Sequence, residues 1–147
     1  MNSCPMCRKW DDDAQLRIAE LRHCYVTLNR DQFFPGYCFV FAKAHVTELF
    51  HLDAATRHAL IDEVSQVAAA LAAVYRPTKL NYELLGNMVP HMHWHVVPRF
   101  EDGPLWPKPI WSEPHAEAQL DAAGYAAAIA RIRAALTAPA PGIAALL

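Results

Sequence analysis

The stretch His91-Met92-His93-Trp94-His95-Val96-Val97 alternates histidine with apolar residues and is the most informative part of the chain. In a β-strand, successive side chains point to opposite faces of the sheet, so His91, His93 and His95 would share one face. The apolar residues between them would share the other face, where they suit a hydrophobic core. We therefore predict a strand over residues 92–98 with imidazoles aligned along one side.

Three imidazoles on one face are compatible with two kinds of chemistry. Neutral imidazole is the commonest metal ligand in proteins, and two histidines spaced two residues apart on a strand can bind one ion. Alternatively, the middle ring of His93 can attack an electrophilic phosphorus and form a covalent intermediate, which divides one difficult displacement into two easier ones. A row of merely exposed histidines would leave the alternation unexplained.

The patterns on either side of this strand predict an α+β fold. Residues 24–28 carry β-branched and aromatic types and are predicted as a strand, and residues 37–42 and 79–85 are predicted as further strands. Apolar residues at spacings of three and four predict a helix that begins after Asp53, and a second helix is predicted over residues 122–137. The order strand, strand, helix, strand, strand, helix favours an antiparallel sheet of about five strands with two main helices packed against it.

Composition excludes several classes of protein. The chain has 147 residues, of which 54% are apolar and 19% charged, so we expect one folded domain rather than a disordered chain. A net charge of −2 provides no electrostatic footprint for nucleic acid or for an anionic membrane. No uncharged stretch reaches the ~20 residues of a membrane span, and no signal-peptide pattern is visible. We therefore expect a cytoplasmic protein with no nucleic-acid or membrane partner.

The four cysteines fall into two pairs of different character. Cys24 and Cys38 lie within apolar runs, where a cysteine behaves as a small buried hydrophobe. Cys4 and Cys7 form a Cys-x-x-Cys motif, which supplies two of the four ligands that a structural zinc site needs. The alternative is an N-terminus that carries two unliganded thiols.

Residues 104–114 contain four prolines and two tryptophans. Such a segment cannot form regular structure throughout, and its large aromatic side chains need a surface to cover. That surface is either a partner subunit or the segment's own domain.

The triad resembles the His-φ-His-φ-His-φ-φ motif (φ, apolar) of the histidine triad (HIT) family. Upstream, Leu28-Asn29-Arg30, Pro35-Gly36 and Lys43-Ala44-His45-Val46 occur in the order found in histidine triad nucleotide hydrolases. The similarity covers roughly residues 20–100. It implies a HIT-like fold whose sheet continues across a homodimer.

On this resemblance, residues 1–147 form a single HIT-like domain. The segment 1–12 with its Cys-x-x-Cys motif precedes the core of residues 20–100, and the segment 101–147 follows it with a Pro/Trp-rich stretch and the last helix.

The resemblance also implies a role for each histidine of the triad. His93 would be the nucleophile and would form a nucleotidyl-histidine that water then hydrolyses. His91 would hold the geometry near the phosphate, and His95 would contact the α-phosphate or the bridging oxygen. The family branch that transfers nucleotides to sugar phosphates has glutamine at the third position, so His95 favours the hydrolase branches.

Four further positions match substrate-binding residues of the family. Asn29 would bind the ribose hydroxyls, Asn81 would lie close to the phosphates, and Gly86 and Asn87 would form the turn beside them. The alternative from the sequence alone is that Asn29 and Asn81 cap a turn or a strand end.

Two residues depart from the family pattern. Tyr37 stands where members commonly have histidine, and Met88 stands where they often have serine or threonine. The neighbouring Asn87 is a possible replacement for the lost hydroxyl donor.

In one bacterial branch of the family, an N-terminal Cys-x-x-Cys motif binds zinc together with two histidines. Here the ligands would be Cys4, Cys7, His45 and His91. The zinc would be structural: it would attach the N-terminus beside the active site and orient His91, without being required for the chemical step.

These observations predict a hydrolase that acts at the α-phosphorus of dinucleoside polyphosphates or nucleoside phosphoramidates, most simply AMP-containing nucleotides. One alternative is a nucleotide-binding or interaction protein with little turnover. Another is a metallohydrolase that uses the triad as zinc ligands, although no carboxylate ligand is evident in the strand itself.

Overall fold

The computed structural model describes residues 3–138. The strands are β1 (Arg17–Glu20), β2 (Cys24–Leu28), β3 (Cys38–Ala42), β4 (Lys79–Leu84) and β5 (His93–Arg99), and the helices are α1 (Pro5–Asp12), α2 (Ala54–Tyr75) and α3 (Ala122–Thr137). The five strands form one sheet in the order β1-β2-β3-β5-β4, with antiparallel neighbours throughout. The predicted α+β fold is confirmed. Residues 1, 2 and 139–147 of the predicted terminal segments lie outside the described residues.

The main hydrophobic core lies between one face of the sheet and the helices α2 and α3. Val26, Val40 and Trp94 lie side by side across β2, β3 and β5, and all are buried. The apolar stripe of α2 packs against them through Leu60, Val64, Val67 and Leu71. The prediction that the residues between the histidines belong to a core is therefore confirmed, since Met92, Trp94 and Val96 are at most 5% exposed.

The ends of α2 follow the sequence signals. Asp53 accepts a hydrogen bond from the backbone N–H of Thr56 at 2.9 Å, as an N-cap does. The helix ends at Tyr75. The Tyr75 ring packs against Gly36, where a Cβ atom would lie 2.7 Å from the ring and φ is +86°. Glycine is thus required at this turn, which leads directly into Tyr37.

Two elements, α1 and β1, were not predicted from the sequence. An eight-residue helix such as α1 is not stable alone, so tertiary contacts must hold it. Met6 is buried, and the Trp10 ring stacks on Tyr25 of β2 at 4.5 Å between centroids. β1 has only four residues and a charged residue at each end, so no alternation of apolar and polar residues is visible in its sequence.

Some predicted boundaries shift by one residue. The triad strand was predicted over residues 92–98 but begins at His93 and ends at Arg99. His91 therefore lies two residues before the strand that carries His93 and His95. Its main-chain N–H bonds to the carbonyl of Val89 instead of joining the strand ladder.

Cys24 and Cys38 are fully buried, as expected, and burial raises the pKa of both thiols. The segment 104–114 packs on its own chain, because Ile110 is buried against Phe34 and its neighbours. Among residues 3–138, no helix is both long enough and apolar enough to cross a membrane.

Adjacent positions on α2 test the packing of the core. Leu60 is 1% exposed and Ile61 is 39% exposed. We expect Leu60→Ala to lower the free energy of unfolding by about 2–5 kcal/mol, because it leaves a cavity in the core. Ile61→Ala is the matched control and should cost less than about 1 kcal/mol. Urea unfolding measures both values, and equal losses would contradict the described packing.

Candidate active site and metal cluster

The face of the sheet opposite the core carries the candidate active site. His93 pairs with Phe41 and His95 pairs with Phe39 in the antiparallel register of β3 and β5. The two imidazole rings lie 5.0 Å apart between centroids. A cavity of about 320 Å³ opens in front of them; its lining consists of Leu85, Gly86, Asn87, Met88, Val89, His93, His95 and Trp111.

The position of the proton on His93 follows from one hydrogen bond. Its Nδ1 lies 2.5 Å from the main-chain carbonyl oxygen of His91. A carbonyl oxygen can only accept, so Nδ1 carries the proton and donates. In the neutral ring, Nε2 then has a lone pair, which is the requirement for a nucleophile.

His95 lies beside Tyr37, with 2.5 Å between Nδ1 and the phenolic oxygen. Both side chains are buried. Burial, reinforced by the carboxylates of Glu83 and Asp31, raises the pKa of Tyr37, so its hydroxyl stays protonated at neutral pH. Burial, reinforced by His93, lowers the pKa of His95 to about 4, so the imidazole is uncharged. Tyr37 was noted in the sequence only as a departure from the family pattern.

Trp111 forms one wall of the cavity, a contribution that the sequence did not reveal. Its ring meets His95 edge-on at 5.2 Å between centroids. Its Nε1–H donates to the carboxylate of Glu83. Glu83 lies on β4, where it pairs with His95 of β5. The Pro-rich segment that carries Trp111 is anchored by Arg99, which donates to the carbonyl oxygens of Pro104 and Lys108.

The predicted substrate-binding residues divide into two groups. Gly86 and Asn87 line the cavity beside the histidines, together with Met88, whose side chain is 94% exposed. Asn29 and Asn81 are absent from its lining. The amide of Asn29 donates to the carbonyl of Asp31, and that of Asn81 accepts from Arg99 on β5. In this structure both asparagines therefore stabilise local geometry.

His91 lies in a separate cluster with the Cys-x-x-Cys motif. Its Nδ1 is 3.5 Å from the sulfurs of both Cys4 and Cys7, and Nδ1 of His45 is 3.2 Å from the sulfur of Cys7. The four potential ligand atoms all lie within 4.8 Å of one another. Nε2 of His91 donates to the carbonyl of Ala42 at 2.7 Å, which leaves Nδ1 as the nitrogen with a lone pair.

The surroundings of the first triad histidine differ from those of His93 and His95. Both ring nitrogens of His91 have partners away from the cavity, and the ring is absent from the cavity lining. Its main-chain carbonyl, rather than its imidazole, contacts His93. A direct contact between the His91 ring and a phosphate would require the ring to leave these partners.

Comparison with known proteins identifies the family. The HIT domain model matches residues 13–102, more than half of the chain, and the protein therefore belongs to the HIT domain family. Its members are generally nucleotide hydrolases or transferases, and membership supports a function of this general type.

Among curated proteins, the chain is 28% identical over 92 residues to the uncharacterized HIT-like protein MG132 of Mycoplasma genitalium. The match covers 59% of this chain and 65% of that protein, so the chain spans just under two thirds of the relative's length.

Solved structures show the same fold. A histidine triad protein from Bradyrhizobium japonicum is 27% identical with a TM-score of 0.76, over 82% of this chain and 89% of that one. A histidine triad protein from Sinorhizobium meliloti 1021 is 28% identical with a TM-score of 0.77, over 90% and 96%. A Zn-bound histidine triad family protein from Mycobacterium smegmatis is 23% identical with a TM-score of 0.65, over 91% and 93%.

The lowered pKa of His95 predicts how stability depends on pH. Between about pH 6.5 and pH 4 the unfolded chain binds a proton at this residue and the folded protein does not. The free energy of unfolding should therefore fall as the pH is lowered through this window. Urea unfolding at several pH values should give a shallower dependence for His95→Gln. The exposed His58 provides the control, His58→Gln, and equal slopes for wild type and His95→Gln would contradict the prediction.

Proposed function

We propose that this protein is a nucleotide hydrolase that acts at the α-phosphorus of its substrate through His93. The observation that carries the proposal is the hydrogen bond from Nδ1 of His93 to the His91 carbonyl, which leaves Nε2 as a nucleophile in a ring that lines the cavity. Dinucleoside polyphosphates and nucleoside phosphoramidates, with AMP as the simplest nucleotide part, are the substrate classes implied by the family resemblance.

The reaction proceeds in two displacements. Nε2 of His93 attacks the α-phosphorus, and an N–P bond forms as the bond to the leaving group breaks with its electron pair. Water then attacks the same phosphorus, the N–P bond breaks, and a proton is released with the nucleoside monophosphate. The hydrogen bond from His93 to the His91 carbonyl favours these two steps, because it stabilises the positively charged His93 ring of the intermediate without any proton transfer at Nδ1.

The loop of residues 85–89 is proposed to bind the phosphates. Gly86 has a φ of +80°, and a Cβ there would have no contact closer than 3.7 Å, so glycine is needed for backbone conformation rather than for space. The Asn87 amide supplies donors where Met88 has none. Asn29 and Asn81 remain proposed nucleoside and phosphate contacts; their described hydrogen bonds engage the amide nitrogen of Asn29 and the amide oxygen of Asn81.

The hydrolysis of diadenosine tetraphosphate tests the proposal. We expect His93→Gln to reduce kcat by about 10³-fold or more, because the variant lacks the nucleophile. The control His58→Gln should retain wild-type activity. Chromatographic separation of the nucleotide products measures the rate. If the wild type binds the substrate but shows little turnover, the alternative of a nucleotide-binding protein, which the departures at Tyr37 and Met88 favour, would replace the hydrolase.

We also propose that Cys4, Cys7, His45 and His91 bind a structural zinc ion. In a tetrahedral centre with Zn–S about 2.3 Å and Zn–N about 2.0–2.1 Å, sulfur and nitrogen ligands are separated by roughly 3.6 Å. The observed separations of 3.2–3.5 Å are close to this value, and two thiols with two imidazoles are a common zinc ligand set. The hydrogen bond from His91 to Ala42 holds the ring with Nδ1 turned to the sulfurs.

Metal analysis tests this site. The purified protein should contain about one zinc per chain, and His45→Gln should contain less because a tetrahedral site loses a ligand. The exposed His51 provides the control, His51→Gln. Removal of zinc by a chelator should lower the melting temperature, since Cys7 lies in α1, while His93 chemistry persists. Complete loss of turnover in a chelated protein that remains folded would instead favour the metallohydrolase.

The homodimer implied by the family resemblance remains part of the proposal. β4 is an edge of the sheet, and Tyr82 on this strand is 51% exposed. An exposed strand edge with unpaired backbone groups suits pairing with a second copy of the chain.

A further inference from the structure

The direction of the hydrogen bond between Tyr37 and His95 can be deduced. Among the described residues, the Tyr37 hydroxyl has His95 Nδ1 as its hydrogen-bond partner. If Nδ1 were the donor, the buried hydroxyl proton would have no acceptor, which is costly. The hydroxyl therefore donates to Nδ1. The single proton of the neutral His95 ring must then lie on Nε2.

The ring of His95 is held in this orientation by its neighbours. Phe39 and Trp111 both meet it edge-on, at 5.0 Å and 5.2 Å between ring centroids. A flip of the ring would move Nδ1 away from the Tyr37 hydroxyl. The Nε2–H of His95 is thus a fixed hydrogen-bond donor in a ring that lines the cavity together with His93.

Neither partner of this pair readily exchanges a proton at neutral pH. Burial and the carboxylates of Glu83 and Asp31 oppose ionisation of Tyr37, and burial and His93 oppose protonation of His95. If Nε2 released its proton, an imidazolate or a tyrosinate would remain in a buried site. His95 can therefore stabilise negative charge by donating a hydrogen bond, but it is a poor source of a transferable proton.

The two substrate classes of the proposed function differ in their need for that proton. When a phosphoanhydride is cleaved, the P–O bond breaks and the nucleoside polyphosphate leaves with the electron pair as an anion. When a phosphoramidate is cleaved, the P–N bond breaks and the amine needs a proton as well as the electron pair. A fixed donor that keeps its proton serves the first reaction and not the second.

We propose that Tyr37 is a positioning residue that fixes His95 as a hydrogen-bond donor and thereby makes the enzyme selective for phosphoanhydrides over phosphoramidates. The proposal rests on the proposed function and selects one of its two substrate classes. It also assigns a role to Tyr37: the hydroxyl donates a hydrogen bond to His95, and the ring packs in a cluster with Val97 and Ile110.

The ratio of kcat/KM for diadenosine tetraphosphate to kcat/KM for adenosine phosphoramidate tests this selectivity. We expect this ratio to be about 100 or more for the wild type, because the transition state of the anhydride reaction is bound more tightly by the same factor. Tyr37→Phe keeps the ring and removes the donor, so the ratio should fall by about tenfold. Tyr37→His should lower the ratio further, because two imidazoles can share a transferable proton.

Two further measurements separate positioning from a general structural effect. Tyr125→Phe removes another tyrosine hydroxyl, one that donates to the carbonyl of Arg30, and should leave the ratio unchanged. Nitrogen-15 NMR of the His95 ring should show a proton on Nε2 and none on Nδ1 in the wild type. In Tyr37→Phe this preference should be lost while the protein remains folded.

Several results would overturn the proposal. Comparable turnover of both substrates by the wild type would do so, as would an unchanged ratio in both Tyr37 variants or a proton on Nδ1 of His95. Each of these results leaves the His93 hydrolase intact, provided that at least one substrate is cleaved. If no form of the protein cleaves either compound, the proposed function fails together with the selectivity.

Discussion

The antiparallel pairing of β5 with β3 is the constraint on which the rest of the molecule depends. Its register places Trp94 and Val96 in the core and His93 and His95 on the opposite face. A slip of one residue would exchange the two faces and bury imidazoles where the helices need apolar partners. The packing energy of the main core thus maintains the alignment of His93 and His95, although no side chain of that core lines the cavity.

His91 connects the proposed metal centre to the proposed nucleophile. Its imidazole lies with Cys4, Cys7 and His45, and its main-chain carbonyl accepts the hydrogen bond from His93. An ion at the cluster would therefore restrain the carbonyl that determines which nitrogen of His93 is protonated. A bound metal would in this way affect the proposed nucleophile without touching the substrate, and the cluster links α1 to His93 through His91.

The alternation of the triad, the residue types of the other strands and the helical spacing in α2 and α3 were sufficient to predict four of the five strands, both main helices and the core face, because these patterns are local. The elements that were missed depend on distant partners: α1 is held by burial of Met6 and by the stacking of Trp10 on β2. In the site, Tyr37 and His95 are 58 positions apart, and Trp111 joins them from an irregular segment. Sequence spacing carries no signal for such contacts, so the cavity wall and the protonation of His95 became visible only in the structure.

Covalent attachment of a nucleotide to His93 is the central claim, and intact-protein mass measures it directly. The His95→Asn variant, in which the intermediate should be longer-lived, would be mixed with diadenosine tetraphosphate and quenched rapidly at neutral pH. We expect the mass of one adenylyl group to be added, to be located on His93 by peptide mapping, and to be absent from His93→Ala. Efficient turnover by the wild type with no adduct in any form, or an adduct on another residue, would contradict the covalent mechanism.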